Sequence, residues 1–146
     1  MSTLTVTKRN GKTESINLEK IHKVITWAAE GLDNVSVSQV ELKAQIQFFE
    51  GIRTTDIHET LIKSAADLIS ENTPDYQYLA ARLAIFNLRK KAFGDFEPPH
   101  IYDHVKNLVQ QKRYDDNLLE DYTKEDFDQL NDVIDHSRDM NFSYAA

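Results

Sequence analysis

The residues best equipped for chemistry cluster in the first twenty positions: Lys8, Arg9, Lys12 and Lys20, with Glu14 and Asn17 between them. Val6-Thr7-Lys8-Arg9-Asn10-Gly11-Lys12 reads as a hairpin, because Asn-Gly between two short alternating runs suits a type I′ turn with positive φ at both central residues. Cations at such a bend, beside a helix N-terminus starting at Asn17, make a place for phosphate groups. The glycine-rich phosphate loops and the G-x-S-x-G nucleophile motif are absent, and no nucleophile and base pair is visible. With no cysteine in the sequence, disulfides, thiolate zinc sites and cysteine-based mechanisms are excluded. His100 and His104 are four apart with Asp103 between them, but no third metal ligand suggests itself, and the expected metal set is none.

The elements that must position these residues follow from periodicity. Leu4 to Thr7 and Thr13 to Ile16 read as the hairpin strands, and Asn17 as the N-cap of a helix. Leu18, Ile21, Val24, Ile25, Ala28 and Leu32 give that helix its apolar stripe, with Trp27 on or beside it and Gly31 as the stop. A second helix is expected from near Ser38, with Val40, Leu42, Ile46 and Phe49 as core. Phe48–Ile52 suits a third strand. The next helix starts at Thr54-Thr55-Asp56, where Asp56 and Glu59 resemble a capping box, and its stripe is Ile57, Leu61, Ala65 and Leu68. After Thr73-Pro74-Asp75, a long helix carries Tyr76, Leu79, Ala80, Leu83, Asn87 and Lys90 to Gly94. Pro98-Pro99 marks the clearest boundary, since two prolines cannot sit inside a helix. Two further helices are expected, one with Tyr102, Val105, Leu108 and Val109, one opened by Thr123 and carrying Phe127, Leu130 and Ile134.

Charge divides the chain unevenly. Residues 1–93 carry 12 Lys/Arg and 11 Asp/Glu, and residues 94–146 carry 5 and 13, which together give the net −7. The acidic second part argues against nucleic-acid binding. No apolar run is long enough to span a bilayer and no signal core opens the sequence, so a cytoplasmic protein is the default.

Residues 3–93 resemble an ATP-cone, a nucleotide-binding domain. The match is carried by Val6–Gly11, Ile16–Ile21, Thr54-Thr55-Asp56-Ile57-His58, and Ala80-Ala81-Arg82-Leu83 with Arg89-Lys90-Lys91 beyond. Asp75–Ala84, Tyr102-Asp103-His104-Val105 and Asp135–Met140 are similar to the start of the large (alpha) subunit of class Ia ribonucleoside-diphosphate reductases. The resemblance implies a mainly α fold with a small β cap (α+β): a four-helix bundle covered by a three-stranded sheet over residues 1–94. Residues 95–146 would be a helical segment leading to a catalytic barrel outside this sequence. Reductase chemistry needs redox cysteines, so a fragment of this kind should have no catalytic activity alone.

The same resemblance assigns phosphate contacts to Lys8, Arg9 and Lys90, with Lys20 and Thr54 close by. Glu14 and Asn17 match positions that hydrogen-bond adenine, and Val6, Ile16, Ile21 and Ile57 would form an apolar slot around the base. Asp56 and His58 match positions near the sugar. The implied ligands are ATP (activating) or dATP (inhibiting) as allosteric effector, with Mg2+ held mainly by phosphate oxygens and water. The implied partners are the small (beta) radical-generating subunit and a second alpha chain, with no nucleic acid and no membrane. Each residue also has a plainer reading: Lys8, Arg9 and Lys20 as solvated surface, Glu14 as a cross-strand ion-pair partner, and Lys90 and Lys91 opposite the negative end of their own helix. His58 can be a surface or capping residue, and Trp27 and Phe86 core. Two other functions stay open. One is a helical interaction module with a degenerate cone. The other is the cone of a transcriptional repressor, which the missing cysteines and the acidic second part oppose.

Overall fold

The computed structural model describes residues 4–145. Residues 1–3 and 146, which the expected domain ranges include, lie outside the described residues. The chain forms two compact units, Met1–Leu88 with Asp139–Ala146, and Arg89–Arg138.

In the first unit, strands β1 (Thr5–Thr7) and β2 (Thr13–Ser15) form an antiparallel hairpin, with Val6 opposite Glu14. The loop is not the expected type I′ turn. The Gly11 N–H donates to the Lys8 carbonyl (2.9 Å) and the Lys8 N–H to the Lys12 carbonyl (2.8 Å), and of the Asn-Gly pair only Gly11 has positive φ, 82°. This is a type I turn closed by a left-handed glycine. The Asn10 side chain accepts from the Lys12 N–H (3.0 Å), which holds Asn10 out of the left-handed region that a type I′ turn would require.

Strand β3 (Ile52–Arg53) pairs in parallel with β1, Val6 beside Ile52 and Thr7 beside Arg53, giving the order β2-β1-β3. The third strand is therefore shorter and later than Phe48–Ile52. The turn before it is held by Glu50, whose carboxylate accepts from the Thr5 N–H (3.2 Å) and hydroxyl, and by Thr7, whose hydroxyl donates to the Gly51 carbonyl (2.9 Å).

Helix α1 (Leu18–Ala29) starts at Asn17, whose side chain accepts from the Lys20 N–H (3.1 Å). Its buried residues are Val24, Ile25 and Ala28, while Leu18 and Trp27 are exposed. Helix α2 (Val37–Gln45) starts one residue before Ser38, with Ser36 as N-cap, and buries Val40 and Ala44. Leu42 (65% exposed), Ile46 (82%) and Phe49 (59%) are not core. A nine-residue helix with one buried stripe has room for only one face, and Val40 and Ala44 occupy it. Helix α3 (Thr54–Asp67) buries Ile57, Leu61, Ser64 and Ala65. Helix α4 (Tyr76–Phe93) contributes Tyr76, Leu79, Ala80, Ala81, Leu83 and Asn87 to the buried set. Four tertiary bonds tie the bundle: the Ser36 N–H donates to the Tyr76 hydroxyl (2.8 Å), and the Arg82 guanidinium donates to the carbonyls of Ala28 (3.1 Å), Glu30 (2.8 Å) and Met140 (3.1 Å). The result is mainly helical with a three-stranded cap, as the resemblance implies.

The second unit holds the last turn of α4 and three helices: α5 (Ile101–Gln110), α6 (Asn117–Asp121) and α7 (Lys124–Val133). Val105 and Phe127 are its buried apolar residues, whereas Leu130 and Ile134, expected inside, are exposed. α7 opens on a reciprocal capping box between Thr123 and Asp126. Neither the short α6 nor a 3-10 turn over His136–Asn141 was legible from periodicity. Among the described residues no helix is long and apolar enough to cross a membrane.

Candidate functional site

The sheet of the first unit sets the site. Alternation along β1 puts Val6 and Lys8 toward the same face, and cross-strand pairing puts Glu14 beside Val6. Val6 is buried, as is its parallel neighbour Ile52. One step on, toward the turn, this face becomes polar: the Lys8 Nζ lies 3.2 Å from the Glu14 Oε1, both side chains nearly half exposed. Arg9 stands exposed at the tip. The pairing of Thr7 with Arg53 brings the end of β1 alongside the start of α3, so Lys8 and Thr54 leave the sheet at the same end.

That start of α3 is unusual. Its N-cap residue, Arg53, makes no side-chain cap bond, and Asp56 is not the cap that the capping-box reading expected. Asp56 lies within the first turn and is gripped by Arg53 instead, Nε to Oδ2 2.9 Å and Nη2 to Oδ1 3.3 Å. The hydrogen bond it donates to Asp56, then the charge of Asp56, holds the Arg53 guanidinium above its ordinary pKa. Sequence reading passed over Arg53. Its signal was the Arg-x-x-Asp spacing at a helix start. The Thr60 hydroxyl donates to the Asp56 carbonyl (2.7 Å).

At the other end of the sheet, β2 runs through half-buried Ile16 into Asn17 and α1. Asn17 and Lys20 share the first turn, and half-buried Ile21 follows. Thr54 and His58 are half-buried on α3, and Ile57 is buried between them in sequence. Twelve of the thirteen residues that the resemblance assigns thus stand in the first unit, on β1, β2, the turn between them, the Ile16-Asn17 link into α1, or the starts of α1 and α3. The thirteenth, Lys90, belongs to the second unit, where its Nζ sits 5.2 Å over the Phe96 ring. His100 and His104 are engaged separately. The His100 Nδ1 accepts from the Tyr102 N–H (3.0 Å) and its Nε2 lies 3.0 Å from Asp128, while His104 meets Phe93 and Tyr114 edge-on. No group of three His, Cys, Asp or Glu among the described residues has the spacing of a metal site.

This arrangement has the chemistry of an anion site at one end and of a polar, amide-bearing site at the other. Three strand residues separate them, roughly 10 Å, the scale of a nucleoside phosphate.

Comparison with known proteins points the same way. The sequence profile of the ATP cone domain matches residues 4–91. The chain is 71% identical over 143 residues to the ribonucleoside-diphosphate reductase subunit alpha of Haemophilus influenzae, covering 98% of this chain and 19% of that protein. It is 68% identical over 143 residues to the ribonucleoside-diphosphate reductase 1 subunit alpha of Escherichia coli, with the same two shares. It is 42% identical over 148 residues to the subunit alpha of Enterobacteria phage T4, covering 100% of this chain and 19% of that protein. The chain therefore spans about a fifth of the length of these relatives. Because the profile match takes in the sheet, α1 to α3 and most of α4, the chain belongs to the ATP-cone domain family.

Proposed function

We propose that the first unit is an effector site that reads ATP against dATP, and that the chain is the allosteric activity region of a ribonucleotide reductase large subunit. The observation that carries this reading is the change along the sheet's inner face, from buried Val6 and Ile52 to the Lys8–Glu14 pair, beside a helix start that no side chain caps. A polyphosphate would meet Lys8, Arg9, Thr54 and the start of α3. Lys20 and Lys90 are given the same role by the resemblance alone. By the resemblance, adenine would exchange hydrogen bonds with Asn17, an amide that both donates and accepts, and with Glu14, an acceptor that here also pairs with Lys8. Val6, Ile16, Ile21 and Ile57 would wall the base, and Asp56 and His58 would face the sugar. Magnesium would come with the phosphates, held by their oxygens and by water.

ATP in this site would permit ribonucleotide reduction elsewhere in the enzyme, and dATP would stop it by favouring docking of the cone onto the radical-bearing small subunit. Such control needs a coupling of about 1–3 kcal/mol between nucleotide identity and docking state. A nucleotide that bound both states equally would regulate nothing. The interaction-module reading keeps one observation in its favour, the exposed apolar side chains Leu42, Ile46 and Phe49 on and after α2.

Calorimetric titration with magnesium ATP and magnesium dATP separates the two. The effector reading expects saturable binding of both, weakened about tenfold or more in Lys8→Ala, the loss of a charge-assisted contact. Because the Lys8–Glu14 pair is exposed, the same variant should change folding stability by no more than about 0.5 kcal/mol. A folded chain that binds neither nucleotide would leave the interaction module as the better account.

A further inference from the structure

We propose that Arg53 is a positioning residue that fixes the Asp56 carboxylate in the effector site and so sets how the cone distinguishes ribose from deoxyribose. The proposal rests on the effector reading above and deepens it.

Both oxygens of Asp56 are held by one guanidinium, through Nε to Oδ2 and Nη2 to Oδ1. A fork of this kind fixes the plane of the carboxylate as well as its place, which a point charge does not. Arg53 can do this because of where the backbone puts it. It is the last residue of β3, registered beside Thr7, and it leaves the sheet directly into the first turn of α3.

The alternative position of an acid in a first helical turn is against the amides at that helix's own start. Arg53 draws Asp56 away from them, and α3 begins with no side-chain cap bond. One pair thus does two things: it engages the Asp56 carboxylate at a helix start that makes no side-chain cap bond, and it presents an aligned acceptor beside that start. Asp56 is about one-third exposed, Arg53 about seven-tenths. An ion pair so open to water adds little to folding. Its effect lies in orientation.

ATP and dATP differ by one hydroxyl. A site discriminates on a single hydroxyl to the extent that its partner is held in place beforehand, since a mobile acceptor must first be ordered. Removing Arg53 frees Asp56 to rotate, and discrimination moves even though the carboxylate remains.

The test is the ratio of the ATP and dATP dissociation constants, both with magnesium, measured on the full chain for wild type, Arg53→Gln, Arg53→Lys, Asp56→Asn and the Arg53→Gln/Asp56→Asn double variant. We expect Arg53→Gln to move the ratio by about threefold or more, within the ordinary range of couplings between sites. Arg53→Lys, which keeps the charge but not the fork, should fall between it and wild type. In the Asp56→Asn background the Arg53 change should leave the ratio where it was, since its effect runs through the carboxylate. A purely structural role would shift the melting temperature and leave the ratio alone.

An Arg53→Gln ratio equal to that of wild type overturns the proposal. So does an equal effect of Arg53→Gln with and without Asp56, which would mean that Arg53 meets the nucleotide itself. Should Arg53→Gln not fold, Arg53→Lys decides by the same criterion. Binding of neither nucleotide by wild type defeats the effector reading and this proposal together, whereas binding with an unmoved ratio defeats this one alone.

Discussion

Asn17 shows how one side chain can serve both folding and recognition. Its oxygen accepts from the Lys20 N–H and starts α1, which leaves its amide N–H groups for other partners. The two roles come apart by substitution. Asn17→Ala should cost about 1 kcal/mol of stability, the usual worth of an N-cap. Asn17→Asp caps as well as asparagine does, so it should keep the melting temperature while losing the amide donors and, with them, affinity for an adenine nucleotide. Thermal melts paired with titration of both variants check this. A matched fall in stability and affinity in Asn17→Asp would refute the separation. In the second unit Asp135 is expected to add to the pH dependence of stability. Hydrogen bonds from the Ser137 hydroxyl and then its N–H hold the Asp135 carboxyl below its ordinary value. Its folded pKa is depressed, so its contribution is complete above the unfolded value and is lost as pH falls through the folded one. The Asp135 carboxyl should therefore titrate in the acid limb, below the ordinary aspartate value, in a carbon-detected NMR series. Replacing Ser137 by Ala should bring it back toward that value.

At the level of elements, the hairpin turn depends on a single glycine. Gly11 holds φ 82° with open space around the position of a Cβ, so Gly11→Ala meets strain from the backbone alone. The expected cost is about 1 kcal/mol, visible as a lowered denaturation midpoint with an unchanged m-value. Elements of this chain were legible where local chemistry is decisive. The Asn17 and Thr123 caps, the Pro74 and Pro98-Pro99 breaks, and the Gly94 stop all act within a turn of themselves. Legibility failed where the answer depended on a neighbour. The second helix offers Val40, Leu42 and Ile46 as apolar residues, and only packing decides which of its faces is covered. The Asp56 capping box was plausible by spacing, but Arg53, one residue before the helix, claims the carboxylate. The turn type escaped because an Asn side chain bond to Lys12 competes with the left-handed backbone that Asn-Gly pairs favour.

For the whole molecule, the family could be read from motifs that lie far apart in the chain, and the fold followed from it. The site could be listed but not arranged. Sequence gives Lys8 and Thr54 no relation, and it is the parallel register of Thr7 with Arg53 that brings their backbones to one end of the sheet. That register has a kinetic consequence. Joining Val6 to Ile52 requires the chain to close a loop through the whole of α1 and α2 before the strand pair gives anything back. The helices' own backbone bonds are local, so the cap is expected to complete after them. An effector that grips β1 and the head of α3 would then stabilise contacts absent from the folding transition state, and should slow unfolding while leaving the refolding rate as it was. Stopped-flow chevrons with and without magnesium ATP measure both limbs, and a steeper rise in refolding would place the sheet in the nucleus instead. On this view the effector site is the last part of the cone to assemble and the first to come apart, and a bound nucleotide lengthens the life of the folded state without hastening its birth.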